Sequence, residues 1–273
     1  MDESHALELN EAAKAANVTV KGHIKLDTGM SRAGLFAQGH DAAMKAAEAA
    51  ERMSKLSNVK VTGMYTHFCV ADTPDQDEFT AWQLENYKTV MNYLTEKGLR
   101  PETCHTSNSA GILYHPETQI DMVREGIILY GMYPDSMPQY GPLKPVMTLK
   151  SRVSQVRDFP AGATVSYGRT FKGDKPFTTA VVLAGYADGY PRRLSNNTTV
   201  TINGVRYPQA GRICMDMCMV LADKDKVKRG DEVTLIGGNS ISWEDAAQKV
   251  GTINYELTCL VTNRVPRVYI NED

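Results

Sequence analysis

The sequence predicts an α/β domain followed by a mostly antiparallel β domain. In the first half, short apolar runs alternate with helical patterns, an order typical of βαβ units and a parallel sheet. From about residue 142 the pattern changes to short strands separated by turn residues. We therefore expect the α/β domain over residues 1–140 and the β domain over 141–273.

Four strands are predicted in the first domain, with helices between them. The strands are expected at 20–27, 59–68, 102–107 and 120–131. The helices are expected at 37–56, 75–98 and 109–116, the second ending at Gly98. Four parallel strands could form a small open sheet or half of a (β/α)8 barrel, because a full barrel needs about 250 residues and eight strands.

The second domain is predicted to be rich in strands and to contain a single helix. Strands are expected within 146–159, 177–189, 198–211 and 231–237. Asn203 and Gly204 indicate a hairpin turn. The helix is expected at 241–251, where Ser242 and Asp245 form a capping-box pattern. A linker rich in proline and glycine is expected near 138–145.

Composition excludes several kinds of partner. The net charge of −2 at pH 7 gives no basic surface for nucleic acid. No apolar run is long enough to span a bilayer, and the N-terminus has no signal-peptide pattern. Five cysteines scattered in apolar runs are typical of reduced thiols, so we expect a cytoplasmic protein. We expect Cys214 and Cys218 to be buried and predict no metal site.

Polar side chains cluster where each predicted parallel strand ends, and sites in α/β folds are built at that edge. They are Lys25, Asp27 and Arg32; His67; His105, Asn108 and Ser109; and Arg124 and Gly126. Ser109 and Gly126 are suited to a phosphate cradle. Alternatively, Lys25, Asp27 and Arg32 form a structural ion-pair set and His67 is an ordinary buried polar residue.

Eight motifs, taken in order, resemble the alanine racemases, which combine a pyridoxal phosphate (PLP) binding (β/α)8 barrel with a β domain. They are IKLDTGMSRAGL, GMYTHF, NSAG, REGIILYG, VSYGRTF, GYADGYPRR, GRICMDM and INYELTC…RVPRVY. The resemblance implies that the first domain contains about four C-terminal βα units of a TIM-type barrel. It also implies a homodimer with shared active sites that makes D-alanine for peptidoglycan.

The resemblance implies that Tyr167 is one of two catalytic bases, rather than an ordinary strand aromatic. It places His67 and Arg124 in a hydrogen-bonded relay, with Arg124 facing the pyridine nitrogen of PLP. Arginine does not give up its proton, so the nitrogen would stay unprotonated, which favours racemisation over transamination.

The resemblance also implies a set of binding residues. The phosphate contacts are Ser109, Gly126, Ile127 and Tyr255, with Asn108 beside them. Arg32 would contact the cofactor and the substrate carboxylate, and Lys25 would be carbamylated to hold Arg32. Met215 and Asp216 would reach the substrate from the partner subunit, and Tyr186, Arg192, Arg212 and Asp72 would line the access channel.

One family motif, V-x-K-A-N-A-Y-G-H-G, is not found in this sequence. It carries the lysine that binds PLP and serves as the second base. We therefore expect a C-terminal fragment, about two-thirds of the family chain, that is poorly active alone. Alternatives are a non-catalytic dimerising fragment, the complementing half of a split racemase, and an enzyme that acts on serine.

Overall fold

The computed structural model describes residues 2–134 and 143–270. Residues 138–142 of the predicted linker lie outside this range. The chain forms two compact units, one containing the described residues up to 129 and the other containing 130–134 and 143–270. Each unit is described by itself.

The first unit is an α/β unit with a parallel sheet. Its strands are β1 (Val20–Asp27), β2 (Leu35–Phe36), β3 (Val59–Tyr65) and β4 (Thr103–His105). Its helices are α1 (Glu3–Ala15), α2 (His40–Ser54), α3 (Asp77–Glu96) and α4 (Ser109–Tyr114). The strand order is β2-β1-β3-β4, and all three pairings are parallel. Strand β1 has the predicted bounds.

Alternation along the strands gives the sheet one apolar and one polar face. Ile24, Leu26, Met64 and Cys104 are fully buried in a core cluster with side chains of α2 and α3. Helix α2 contributes alanines to this core, and their small side chains allow it to pack closely on the sheet. The intervening strand residues therefore point away from the helices, and these residues carry the polar groups of the candidate site.

The strand predicted at 120–131 is wrong. Residues 120–126 form no strand, and Ile127–Tyr130 is a 3₁₀ turn. The segment runs beside β4 and donates from Asp121 N to Cys104 O over 3.0 Å. However, the Asp121 carboxylate accepts from Cys104 N at 2.7 Å. The Asp121 side chain thus takes the Cys104 N–H, which a β ladder between β4 and this segment would need as a donor to a backbone carbonyl. The ladder does not form.

The second unit is mostly antiparallel, as predicted. Its strands are β5 (Leu149–Phe159), β6 (Thr164–Val165), β7 (Phe171–Lys172), β8 (Phe177–Val182), β9 (Thr199–Ile202), β10 (Val205–Pro208), β11 (Cys218–Leu221) and β12 (Glu232–Ile236). Six of them form a sheet in the order β10-β9-β12-β5-β8-β11, and β6 pairs with β7. Asn203 and Gly204 have φ of 50° and 80° and join β9 to β10, which confirms the predicted hairpin.

Two helices pack in the second unit, α5 (Trp243–Val250) and α6 (Asn254–Leu260). The sequence predicted only α5, since the seven residues of α6 are too few to show a clear helical period. Ser242 caps α5 by accepting from Asp245 N at 3.0 Å, one half of the predicted capping box. The buried indole of Trp243 donates to Met147 O over 2.9 Å and holds α5 on the unit.

The remaining expectations concern cysteines and membranes. Cys218 is buried as predicted, whereas Cys214 is only half-buried. None of the helices within 2–134 and 143–270 has the length and apolar character that a membrane span requires.

The cap of α5 gives a test of the second unit. We expect Ser242→Ala to lower the free energy of unfolding by about 1 kcal/mol, because Asp245 N loses its acceptor. Ser242→Asp retains an acceptor and should stay close to wild type. Chemical denaturation of the three proteins measures the difference, and equal stability of both variants would show that the cap contributes nothing.

Candidate active site

The polar face of the parallel sheet brings together side chains from three strands. His23, Lys25 and Asp27 lie on β1, and the ladder pairs Lys25 with Tyr65 of β3 and Tyr65 with His105 of β4. His67 follows β3 by two residues. The carboxyl ends of neighbouring parallel strands meet at one edge, so these groups converge as the sequence predicts.

Arg124 is the centre of this cluster, and its direction is fixed by several acceptors. Its Nη1 lies 2.8 Å from Nδ1 of His105. Its Nη2 donates to the carbonyl of Thr66 at 2.8 Å and to that of Thr106 at 3.0 Å, and lies 3.5 Å from Nδ1 of His67. The guanidinium also lies over the Tyr65 ring, 5.4 Å from its centroid.

The two histidines that face Arg124 are held neutral. The pKa of His67 is lowered from 6.5 to about 4, first by burial and then by the positive charges of Arg124, Arg32 and Lys25. The pKa of His105 is also lowered to about 4, by burial and by the charges of Arg124 and His23. At neutral pH both imidazoles can therefore accept hydrogen bonds, and the formal charge in this relay belongs to Arg124.

Lys25 and Asp27 do not form the structural ion-pair set that was the alternative interpretation. Within the described ranges, no ion pair joins Lys25, Asp27 and Arg32, and Nζ of Lys25 has no hydrogen-bond partner. Asp27 instead accepts from the backbone N–H groups of Gly29 and Ser31, at 3.2 and 2.8 Å. Lys25 is only 7% exposed, and its pKa is lowered by burial and by the charges of Arg32 and Arg124.

The predicted phosphate residues of the first unit are close together. Ser109 Oγ accepts from Gly126 N at 2.9 Å. A Cβ at position 126 would lie 3.1 Å from that oxygen, tighter than a normal contact. Ile127 follows directly at the start of the 3₁₀ turn. Asn108 caps α4 by accepting from Gly111 N at 3.0 Å, which gives it a structural task beside the cradle.

In the second unit, Tyr167 is not an ordinary strand aromatic. It lies on a 3₁₀ turn, Tyr167–Arg169, and is 69% exposed. The turn is strained, since φ is 65° at Ser166 and 51° at Arg169. The Ser166 hydroxyl donates to Arg212 O over 2.6 Å and holds the turn in place. The phenol is thus accessible, and the backbone that carries it is held in place.

The other predicted residues of the second unit are also at its surface. Met215 is 53% exposed, and Asp216 pairs with Arg264 at 2.7 Å. Backbone bonds from Tyr186 N to Cys214 O and from Ala187 N to Met215 O join the turn of Tyr186, predicted to line the access channel, to the turn of Met215, predicted to contact the substrate. Tyr255 lies half-buried in the first turn of α6.

His23 and Tyr65, for which the sequence predicts no role, also lie in this cluster. His23 Nδ1 lies 2.9 Å from His105 Nε2, and the Tyr65 ring stacks on His105 with the centroids 5.0 Å apart. The period of β1 places His23 on the same face as Lys25, so this face was predictable. The contact of His23 with His105 across β3 was not predictable, because it depends on the register of three strands.

The comparisons with known proteins agree with this architecture. A sequence model of the alanine racemase N-terminal domain matches residues 1–134, and one of the C-terminal domain matches 146–269. The alanine racemase of Carboxydothermus hydrogenoformans is 43% identical over 97% of this chain and 72% of its own length. That of Clostridium novyi is 43% identical over 97% of this chain and 69% of its own.

Solved structures give the same result. The alanine racemase of Clostridium difficile 630 superposes with a TM-score of 0.90 at 38% identity, over 98% of this chain and 69% of that one. That of Streptomyces coelicolor A3(2) gives 0.89 at 37% identity, over 98% and 71%. These matches define an amino-acid racemase of the class that combines a TIM-type barrel with a β domain. The chain belongs to the alanine racemase family, whose members depend on PLP.

The lowered pKa of His67 has a consequence for stability. The folded-state pKa lies below the unfolded value, so unfolding takes up a proton between about pH 6.5 and 4. We expect this histidine to stabilise the fold fully above pH 6.5 and to lose about 1–2 kcal/mol as pH falls to 4, allowing for its partial exposure.

Urea unfolding at several pH values tests this expectation. His67→Gln should flatten part of the acid dependence. His5→Gln, at a mostly exposed position, should leave the profile unchanged. An identical profile for wild type and His67→Gln would contradict the pKa shift.

Proposed function

We propose that the chain provides one base and the cofactor contacts of an alanine racemase, which interconverts L- and D-alanine for peptidoglycan synthesis in the cytoplasm. The observation that carries the proposal is the immobilised guanidinium of Arg124, held by His105 and by the carbonyls of Thr66 and Thr106. We propose a homodimer with shared sites.

The residues of the first unit fit PLP in two respects. Nε of Arg124 has no hydrogen-bond partner within residues 2–134 and 143–270, so it remains a free donor for the pyridine nitrogen. Ser109 and Ile127 would bind the phosphate through a hydroxyl and a backbone N–H group, and Gly126, whose own N–H donates to Ser109 Oγ, would leave room for it. Asn108 and, from the second unit, Tyr255 are proposed as further contacts. When bound, PLP withdraws electrons from the Cα–H bond of the amino acid.

Arg124 would determine the reaction type. Arginine keeps its proton and can only donate, so a ring nitrogen that faces it stays unprotonated and withdraws electrons weakly. The neutral state of His67 and His105 means that neither offers the nitrogen a proton at neutral pH. A weak electron sink favours return of the proton to Cα, which is racemisation, over transamination.

Tyr167 would act at one face of Cα. Its exposure lets the phenol oxygen reach a substrate, and the turn holds the backbone from which the side chain extends. Racemisation also needs an acid or base at the opposite face. The family motif that carries the PLP lysine, the group proposed for that face, does not occur within residues 1–273.

Arg32 would bind the substrate carboxylate, with Met215 and Asp216 contributing from the partner subunit. Lys25 would hold Arg32 as a carbamate. A neutral amine attacks CO2 and releases one proton, and the product is an anion that can pair with arginine. The burial of Lys25, its unpartnered Nζ and its lowered pKa all favour this neutral amine.

Exchange of the alanine α-proton in D2O, followed by NMR with PLP present, tests the role of Tyr167. The chain is combined with the N-terminal third of the Carboxydothermus hydrogenoformans enzyme to supply the lysine. We expect Tyr167→Phe to slow exchange of one enantiomer about 10²–10⁴-fold and to spare the other. Tyr269→Phe, at another exposed tyrosine, is the control.

Equal slowing of both enantiomers would contradict the two-base assignment. Exchange by the chain without the added polypeptide would show that one of its own residues is the second base. Faster exchange of serine than of alanine would favour the serine alternative.

Carbamylation of Lys25 has a direct readout. The chain equilibrated with ¹³C-bicarbonate should show one carbamate signal by NMR. We expect Lys25→Met to remove it and Lys45→Met, at an exposed position of α2, to leave it. A spectrum without that signal, or with the same signal in Lys25→Met, would refute the assignment.

A further inference from the structure

Two histidines meet across an intervening strand. His23 lies on β1 and His105 on β4, and β3 runs between them. Neighbouring strands are about 4.8 Å apart, so the backbones of β1 and β4 are separated by about 10 Å. Even so, Nδ1 of His23 lies 2.9 Å from Nε2 of His105, and the ring centroids are 5.1 Å apart. Both side chains must therefore lean over β3.

Gly63 makes this contact possible. The ladder pairs it directly with His23. A Cβ at position 63 would lie 2.5 to 2.6 Å from three atoms of the His23 ring, and its φ is not positive. Glycine is therefore required here for space and not for backbone conformation. Two residues further along β3, Tyr65 stacks on His105. The two ring planes are within 1° of parallel, which fixes the plane of that imidazole.

The hydrogen bonds dictate which nitrogens carry protons. Arg124 can only donate, so Nδ1 of His105 must accept from Nη1. A neutral His105 then has its proton on Nε2 and donates it to Nδ1 of His23. His23 in turn has its own proton on Nε2. Arg124 cannot accept a hydrogen bond, so it sets the donor-to-acceptor direction of both hydrogen bonds, from Arg124 to His105 and from His105 to His23.

We propose that His23 is a positioning residue that fixes the tautomer of His105 and so keeps Nη1 of Arg124 hydrogen-bonded, and that a proton taken up by His23 breaks this bond and leaves the arginine held only by the carbonyls of Thr66 and Thr106. A protonated His23 must donate from Nδ1, so Nε2 of His105 must accept. The proton of His105 then moves to Nδ1, where it opposes the N–H of Arg124. The value of this device for catalysis rests on the proposed function, in which Arg124 faces the cofactor.

Other groups on this face set the electrostatic surroundings of His23. The titratable and charged ones are Lys21, Lys25 and Asp27 of β1, Tyr65 of β3, His105 of β4, and Arg124. The low pKa of His105 agrees with its role as an acceptor at neutral pH. The relay is therefore expected to be intact at neutral pH and to open only in acid.

NMR of the chain labelled with ¹⁵N-histidine tests the proposal without substrate or cofactor. At pH 7 we expect both His23 and His105 as the Nε2–H tautomer. On acidification the two rings should change state together. His105 as the Nδ1–H tautomer at pH 7, or independent titration of the two rings, would overturn the proposal.

Three variants separate positioning from simple packing. His23→Leu should turn the single tautomer of His105 into a mixture, whereas His23→Asn should restore it, since its Oδ1 can accept where Nδ1 did. Gly63→Ala should reproduce the effect of His23→Leu with both imidazoles present. An unchanged His105 tautomer in His23→Leu would refute the idea. If the leucine and alanine variants do not fold, the wild-type titration decides alone. If the wild-type histidines show the expected tautomers but the wild-type protein does not racemise alanine in the assay described above, only the proposed function is contradicted.

Discussion

The first unit is organised around one half-buried guanidinium. A charge removed from water costs several kcal/mol unless its donors find acceptors, and Arg124 cannot lose its proton to avoid that cost. Two of its acceptors are the carbonyls of Thr66 and Thr106, the first residues after β3 and β4. Within a longer ladder those carbonyls would be engaged by neighbouring strands. The same two contacts therefore orient the arginine and satisfy the carbonyls at the ends of both strands.

The same charge determines the chemistry of its neighbours. It helps to keep His67 and His105 neutral and, with Arg32, disfavours a proton on Lys25. The carboxylate of Asp27, at the end of β1, accepts from two backbone N–H groups of its own loop. Positive groups thus outnumber accessible negative ones on this face, which favours anions such as a phosphate, a carboxylate or a carbamate.

Local sequence patterns predicted much of the fold but few of the hydrogen bonds between the residues of the site. Strand β1 was found because apolar and polar residues alternate along it, and the β9–β10 hairpin because Asn-Gly favours positive φ. The strand at 120–131 failed because the Asp121 side chain replaces a backbone acceptor, which no periodicity reveals. The contact of His23 with His105 needs a glycine at the matching level of a third strand, so it becomes visible only once the register is known.

The turn at Tyr167 shows why exposure alone does not mark a residue as unimportant. Within its own unit the phenol buries little, and the turn places Ser166 and Arg169 at positive φ, at about 1–3 kcal/mol each. Such a conformation persists only when surrounding contacts hold it, and here Ser166 is tied to Arg212 O while Gly168 lies against the Arg212 guanidinium. The stability of the unit gains nothing from presenting an aromatic side chain in this way. The proposed role of Tyr167 as a catalytic base would account for this exposure, because a base must be accessible to substrate.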